Sequence, residues 1–182
     1  MTPKAKSGIL DAMKLKVQRI DSSATMPSYA HDGDACFDLS ILIDYHNAPM
    51  TVNAATGELT DNPLAVDGMS VMLHPHETMV FHTGLKFETE RGYNMKMYVR
   101  SSTGIKKNLV LSNGTGVIDT AQYRGEVLIG LTNVGDSVQK VCDGERVAQA
   151  EIVKTLDVEI EEVDELSSTE RGESGIGSTG GH

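Results

Sequence analysis

The sequence predicts an all-β domain, whether sandwich, jelly roll or barrel, with at most one short helix. Three observations point there. Apolar residues recur every second position along much of the chain. Turn residues interrupt these runs at short spacing: Gly92, Asn113-Gly114, Gly135-Asp136 and Asp143-Gly144. No segment carries a long amphipathic helical pattern.

The elements follow in chain order. Residues 1–12 read as a loose arm. In "MKLKVQRI" Met13, Leu15 and Val17 alternate with Lys14, Lys16 and Gln18, the pattern of a half-buried strand. "FDLSILI" at 37–43 is strand-like. Residues 44–68 break the rhythm with two prolines and many small polar residues, and read as an extended loop or hairpin insertion. In "NMKMYVR" Met95, Met97 and Val99 alternate with Asn94, Lys96 and Tyr98. A short helical turn follows Ser101-Ser102, with a serine as its N-cap. "NLVLSN", "EVLIGLTNV" and "RVAQAEIVK" are strand-like, and in "DVEIEEV" Val158 and Ile160 alternate with acids as a further strand. Residues 164–182 read as a tail, so one β domain spans 13–163.

Composition narrows the function. At 182 residues the chain suits one domain with a sizeable core. A net charge of -10 argues against nucleic acid, which needs a basic face, but not against a small anion held by local cations. The first residues lack a long apolar core, so no signal peptide is expected. No run approaches the roughly 20 apolar residues of a membrane span. Cys36 and Cys142 have neither CxxC nor metal spacing and read as buried small hydrophobes in a reducing, cytoplasmic setting.

Several stretches carry candidate chemistry. "GVIDTAQYRGE" (116–126) places Asp119 after a strand end, with Tyr123 and Gly125 following; alone it reads as a hairpin with an Asp in its turn. "VRSSTGIKKN" (99–108) alone is a capped helix start, and Arg146 of "GERVAQAEI" an ion-pair residue. The end, "RGESGIGSTGG" (171–181), combines an arginine, five glycines, Ser178 and Thr179. That composition makes flexible coil, yet it also supplies the amides, hydroxyls and cation that a phosphate chain needs.

In this order the stretches resemble the five motifs of the homotrimeric deoxyuridine triphosphatase (dUTPase) family. "ACFDLS" (35–40) resembles the first, "RSSTGIK" (100–106) the second and "NGTGVIDTAQYRGE" (113–126) the third. "GERVAQ" (144–149) resembles the fourth and "RGESGIGSTG" (171–180) the fifth. The resemblance covers residues 13–181 apart from 44–68. It departs from the family pattern at four places. Cys36 stands for a Gly and Val99 for a Pro. Three residues, Thr120 to Gln122, separate Asp119 from Tyr123 where two are usual. Ile176 stands for an aromatic.

The resemblance implies a jelly-roll-like distorted β-barrel and a nucleoside triphosphate pyrophosphohydrolase. The reaction would convert dUTP to dUMP and pyrophosphate, lowering dUTP and supplying dUMP for thymidylate synthesis. Asp119 would accept a proton from the water that attacks the α-phosphate. Arg100, Ser101, Ser102 and Gln149 would hold the phosphates, and Arg171, Ser178 and Thr179 would clamp the γ-phosphate from a lid over 164–182. Mg2+ would bridge phosphate oxygens, with Asp38 reaching it through water. Asn113, Gly116, Val117 and Ile118 would read the uracil edge, with Ile176 and Gly177 closing over the base. Tyr123 would pack on the deoxyribose and exclude a 2'-hydroxyl. Homotrimers would share their sites between subunits.

Two alternatives stand beside this reading. One is a nucleotide-sensing regulator with the same pocket, using 44–68 as a contact surface for a protein partner. The other is dCTP deaminase, whose family shares the fold. Its catalytic glutamate falls five residues after the glycine matched by Gly125, where this chain has Gly130.

Overall fold

The structure is a computed structural model and describes residues 13–44, 46–53, 55–62 and 69–173. Among them the elements run β1 (Lys16–Arg19), β2 (Phe37–Ser40), β3 (Met50–Val52), β4 (Leu59–Asp61), β5 (Ser70–Leu73), β6 (Thr78–Phe81) and β7 (Leu85–Glu88). Then come β8 (Tyr93–Val99), α1 (Ser101–Lys107), β9 (Leu109–Leu111), β10 (Gly116–Ile118), β11 (Ile129–Asn133), β12 (Gln139–Cys142) and β13 (Arg146–Lys154).

All of these strand pairs are antiparallel. The larger sheets have orders β10-β8-β13-β2 and β4-β3-β6-β11-β9; β1 pairs β7 and β12 pairs β5. Alternation sends one side of each sheet into a common core. Leu39, Met95, Met97, Ala148 and Ala150 come from one sheet, and Met79, Phe81, Leu109, Ile129 and Leu131 from the other. Val71, Val141 and Phe87 come from the smaller pairs. This is the jelly-roll-like barrel with one short helix that the resemblance implies. The 44–68 insertion is a hairpin in its described part: β3 and β4 pair and extend the β6 edge of the sheet.

Three expectations are corrected. Residues 157–163 form no strand, because no described strand of the same chain lies beside them. Val158 is 73% and Ile160 93% exposed. The helix is not capped by a serine. Arg100 occupies the N-cap position with extended backbone, and Ser101 is already helical. Nor are the cysteines deeply buried. Both are free, Cys36 half-buried and Cys142 exposed, because alternation on β12 turns Val141 inward instead. No described helix is long and apolar enough to cross a membrane. The arm at 1–12 lies outside the described residues.

Candidate active site

The first cluster forms where β8 ends. The Arg100 amide donates to the Val147 carbonyl at 3.0 Å, which fixes the start of α1 against β13. The Arg100 side chain offers α1 no cap. It turns instead to β2: its Nε lies 2.8 Å from Asp38 Oδ1, and its Nη1 donates to the Arg146 carbonyl at 3.1 Å. Arg146 Nη1 donates to Asp38 Oδ2 at 3.0 Å. One buried carboxylate therefore aligns two guanidinium groups, leaving the cluster with an excess of one positive charge in an acidic chain. Ser101 and Ser102 are exposed on the first turn of α1, where backbone amides lack helical partners and no acidic residue intrudes. Gln149 is half-buried and lies directly across from Asp38, so the two side chains share a sheet face.

The second cluster is the segment 113–128. Gly114, at φ +71°, turns the chain from β9 into β10, and Asn113 sits exposed at the tip. β10 is the last strand of its sheet, so alternate backbone amides and carbonyls of Gly116, Val117 and Ile118 face away from β8. Gly116 lies close on Met97: a Cβ there would stand 2.9 Å from its Cε and 3.2 Å from its Cβ.

After Ile118 the chain makes a single turn. The Asp119 carbonyl accepts from the amides of Gln122 (2.8 Å) and Tyr123 (2.7 Å). Buried Thr120 is tied to Thr89, with their hydroxyl oxygens 2.8 Å apart. This turn absorbs the extra residue between Asp119 and Tyr123, and both still line one concavity of about 250 Å³ with Val117, Ile118, Glu126, Val127 and Leu128. The Tyr123 ring lies across Gly125: a Cβ on that glycine would stand 2.2 Å from the phenolic oxygen. The hydroxyl donates to the Glu126 carbonyl at 3.0 Å.

Sequence reasoning assigned no role to the Glu126 side chain. Its Oε1 accepts from the amides of Thr83 (3.0 Å) and Gly84 (2.6 Å), and its Oε2 lies 2.9 Å from His82 Nδ1. The hydrogen bond to Glu126 raises the His82 pKa against the opposing effect of burial. Burial pushes Glu126 up, but the bonds from His82 and the Gly84 amide outweigh it and leave that carboxyl below its ordinary value. No local signal in the sequence marks this pair, because the histidine lies 44 residues away from the glutamate.

The two clusters stand apart within one chain. Ile118 is level with Met95, and Asp119 lies beyond it, toward the start of β8. Arg100 follows the other end of the same strand. Counting along β8, the two are separated by about 20 Å. Asp38 and Val117 are three strand spacings apart across the sheet, about 14 Å. Arg171 lies in an exposed turn closed by the Gly172 amide on the Thr169 carbonyl at 3.1 Å. Ile176, Gly177, Ser178 and Thr179 lie outside the described residues. Among the described residues no group of three or more His, Cys, Asp and Glu could hold a metal.

Known proteins resemble this chain. A family model described as dUTPase matches residues 68–180. A deoxyuridine 5'-triphosphate nucleotidohydrolase of Nautilia profundicola is 34% identical over 168 residues, 92% of this chain and 99% of that protein. The dUTPase of Staphylococcus bacteriophage 80alpha, solved with dUPNHPP, is 26% identical with a TM-score of 0.71, over 92% of this chain and 98% of that one. Phage dUTPases such as that one control transfer of virulence genes. A point mutant of the dUTPase from Staphylococcus aureus phage phi11 shares the fold, with a TM-score of 0.64 at 22% identity over 85% of this chain and 99% of that one. That protein coordinates a structural Mg(II) ion.

Asp38 should matter to stability as well as to the site. Asp38→Ala leaves two aligned guanidinium groups without their carboxylate. It is expected to cost about 2 kcal/mol, below the usual value for a fully buried pair because Arg146 is half exposed. A urea titration checks this. An unchanged midpoint at unchanged slope would mean the double ion pair carries no net stability.

Proposed function

The chain belongs to the dUTPase family and hydrolyses dUTP to dUMP and pyrophosphate; we propose that it does so at a site shared between copies of itself, with Asp119 as the general base. The observation that carries this reading is the separation along β8. A base that must reach water at the α-phosphate and an arginine that must hold the phosphates sit at opposite ends of one strand. A second copy brings the Arg100 cluster of one chain to the Asp119 pocket of another. The concavity beside Asp119, about 250 Å³, is also smaller than the roughly 300–1,000 Å³ of a complete small-molecule site.

The exposed apolar residues after β13 support assembly. Leu156, Val158, Ile160 and Leu166 are all more than 70% exposed, a burden that a neighbouring copy removes. The family's homotrimer satisfies both needs.

Each group then has a task. The exposed Asp119 carboxylate takes a proton from water as its oxygen bonds to the α-phosphorus. The bond from that phosphorus to the bridging oxygen breaks, and pyrophosphate leaves with the electron pair. Arg100, Ser101, Ser102 and Gln149 hold the phosphate chain in line. Arg171, Ser178 and Thr179 clamp the γ-phosphate, while Ile176 and Gly177 cover the base. The free backbone edge of β10 and the Asn113 side chain pair with uracil. Cytosine presents a donor where uracil presents a carbonyl, so it leaves fixed backbone groups unpaired. Tyr123 packs on the deoxyribose.

The residues fit magnesium carried by the substrate. Both Asp38 oxygens already face guanidinium groups, so Asp38 reaches an ion only through water, and no protein cage is needed for an ion that keeps its waters. When bound, it neutralises charge on the phosphates. Free cysteines suit the reducing cytosol as the place of action. The inserted hairpin adds an exposed edge strand, β4, which offers a protein partner a surface away from the motif residues.

Three measurements test the reading. Asp119→Asn is expected to bind dUTP yet lose roughly 10²- to 10⁴-fold in kcat, as a positioned base contributes. Retention of more than about a tenth of the activity removes Asp119 from that role. Pyrophosphate release should favour dUTP strongly over dCTP, dTTP and UTP. Shared sites are tested by mixing. Asp119→Asn and Arg100→Ala should each be nearly inactive alone. Unfolded and refolded together, they should regain activity, because some sites receive both native residues. No gain in well-formed mixed assemblies would place the whole site in one chain.

A further inference from the structure

We propose that Glu126 and His82 are positioning residues for the nucleoside half of the site: they fix the wall that carries Tyr123 and so set discrimination against a 2'-hydroxyl. The proposal rests on the reading of that concavity as the nucleoside subsite.

Tyr123 has little freedom of its own. Its amide is held by the Asp119 carbonyl, its ring lies on Gly125, and its hydroxyl donates to the Glu126 carbonyl. The ring therefore goes where the backbone of residue 126 goes. That backbone is fixed through its own side chain, which receives the amides of Thr83 and Gly84 and the His82 ring. The next residue adds two stitches to the same corner. The Val127 amide donates to the Leu85 carbonyl at 2.9 Å, and Thr83 Oγ1 donates to the Val127 carbonyl at 2.6 Å.

The corner itself has no slack. Gly84 sits at φ +67°, and a Cβ there would stand 2.7 Å from Ala24 Cβ. With three donors on its carboxylate and its side chain only 18% exposed, Glu126 is a fastening rather than a second base.

His82 also ties this corner to the segment that leads into the insertion. Its carbonyl accepts from the Leu42 amide at 2.8 Å. Glu126 on the pocket wall holds the ring directly, and the charges of Asp61 at the end of β4 and Asp44 at the start of the insertion act on it as well. All three favour the protonated ring. The sign follows: the His82 pKa is raised in the folded chain, so its contribution is complete at low pH and is lost as pH rises through the folded value. Glu126 is lowered, so its contribution is lost only as pH falls through its own folded value. The charged pair is complete between the two.

The test is steady-state kinetics of the assembled enzyme with dUTP and UTP, on wild type, His82→Gln, Tyr123→Phe, Tyr123→Ala and the double variant of His82→Gln with Tyr123→Phe. Glu126→Gln is a second probe, because its amide oxygen still accepts from Thr83 and Gly84 and folding is retained. The expected result for His82→Gln is a rise in KM for dUTP that exceeds any fall in kcat. The ratio of kcat/KM for dUTP to that for UTP should fall about tenfold, the scale of one charged hydrogen bond. The wild-type ratio should decline as pH rises above the His82 titration, and that decline should vanish in His82→Gln. The double variant should lose less than the sum of the singles.

If Tyr123→Phe or Tyr123→Ala changes the ratio while His82→Gln and Glu126→Gln leave it and its pH profile unchanged, the fastening is wrong and the nucleoside subsite stands. If the Tyr123 variants leave the ratio untouched, the subsite reading fails and the proposal falls with it.

Discussion

Strand β8 is the constraint on which the site depends. It runs seven residues through the middle of a four-stranded sheet, with β10 on one side and β13 on the other. Its core-facing residues, Met95 and Met97, are buried, so register cannot slip without exposing them. That register puts Asp119 past one end and Arg100 past the other. The two ends cannot approach each other while the core remains packed. On the proposed reading such a chain takes a second copy to complete one site, and the exposed apolar run at 156–166 is then a face for that neighbour to cover.

Within the Asp119 half, backbone turns do the positioning. The strand ends at Ile118 because the Thr120 amide turns back to the Ile118 carbonyl at 2.8 Å, and the next turn closes on the Asp119 carbonyl. Thr120 points inward to Thr89, so the extra residue is anchored in the core rather than extruded. A longer spacing would ordinarily push Tyr123 away from Asp119. Here the added residue lengthens the turn and leaves its two ends in place. Gly125 then accepts the ring, a contact that any larger residue would block.

Much of this was legible in the sequence, and the rest has identifiable causes. Alternation at Met95, Met97 and Val99 revealed β8, because the strand is buried on one face. The inserted hairpin was legible only as a possibility, since Pro, Asn and Thr mark turns without fixing pairing. Val158 and Ile160 misled because alternation signals burial without saying against what, and no described strand of the same chain covers them. The serine at the start of α1 misled for another reason. Arg100 is held by Asp38 and Val147, so tertiary contacts set the helix start one residue earlier than capping preference would. The fastening of Glu126 to His82 was invisible because no local pattern joins residues so far apart in the chain. Asp38 was recognised as part of a motif, but its two arginines come to it by strand pairing: Arg146 because β13 lies beside β2, and Arg100 because β8 lies on the other side of β13.

The same reasoning separates hydrolysis at phosphorus from deamination of a base on a shared architecture. A deaminase needs an acid or base where this chain has Gly130. That position lies on β11, and the Gly130 carbonyl accepts from the Ser112 amide at 3.0 Å. A Cβ there would stand 2.3 Å from Ser112 Oγ, and Val80 closes the space behind at 3.8 Å. A side chain there would have to turn aside the exposed Ser112 hydroxyl, at the start of the turn from β9 into β10. The glycine leaves this position of β11 without the acid or base that deamination would need, so the exposed Asp119 past the end of β10 is the carboxylate that the proposed hydrolysis has to work with.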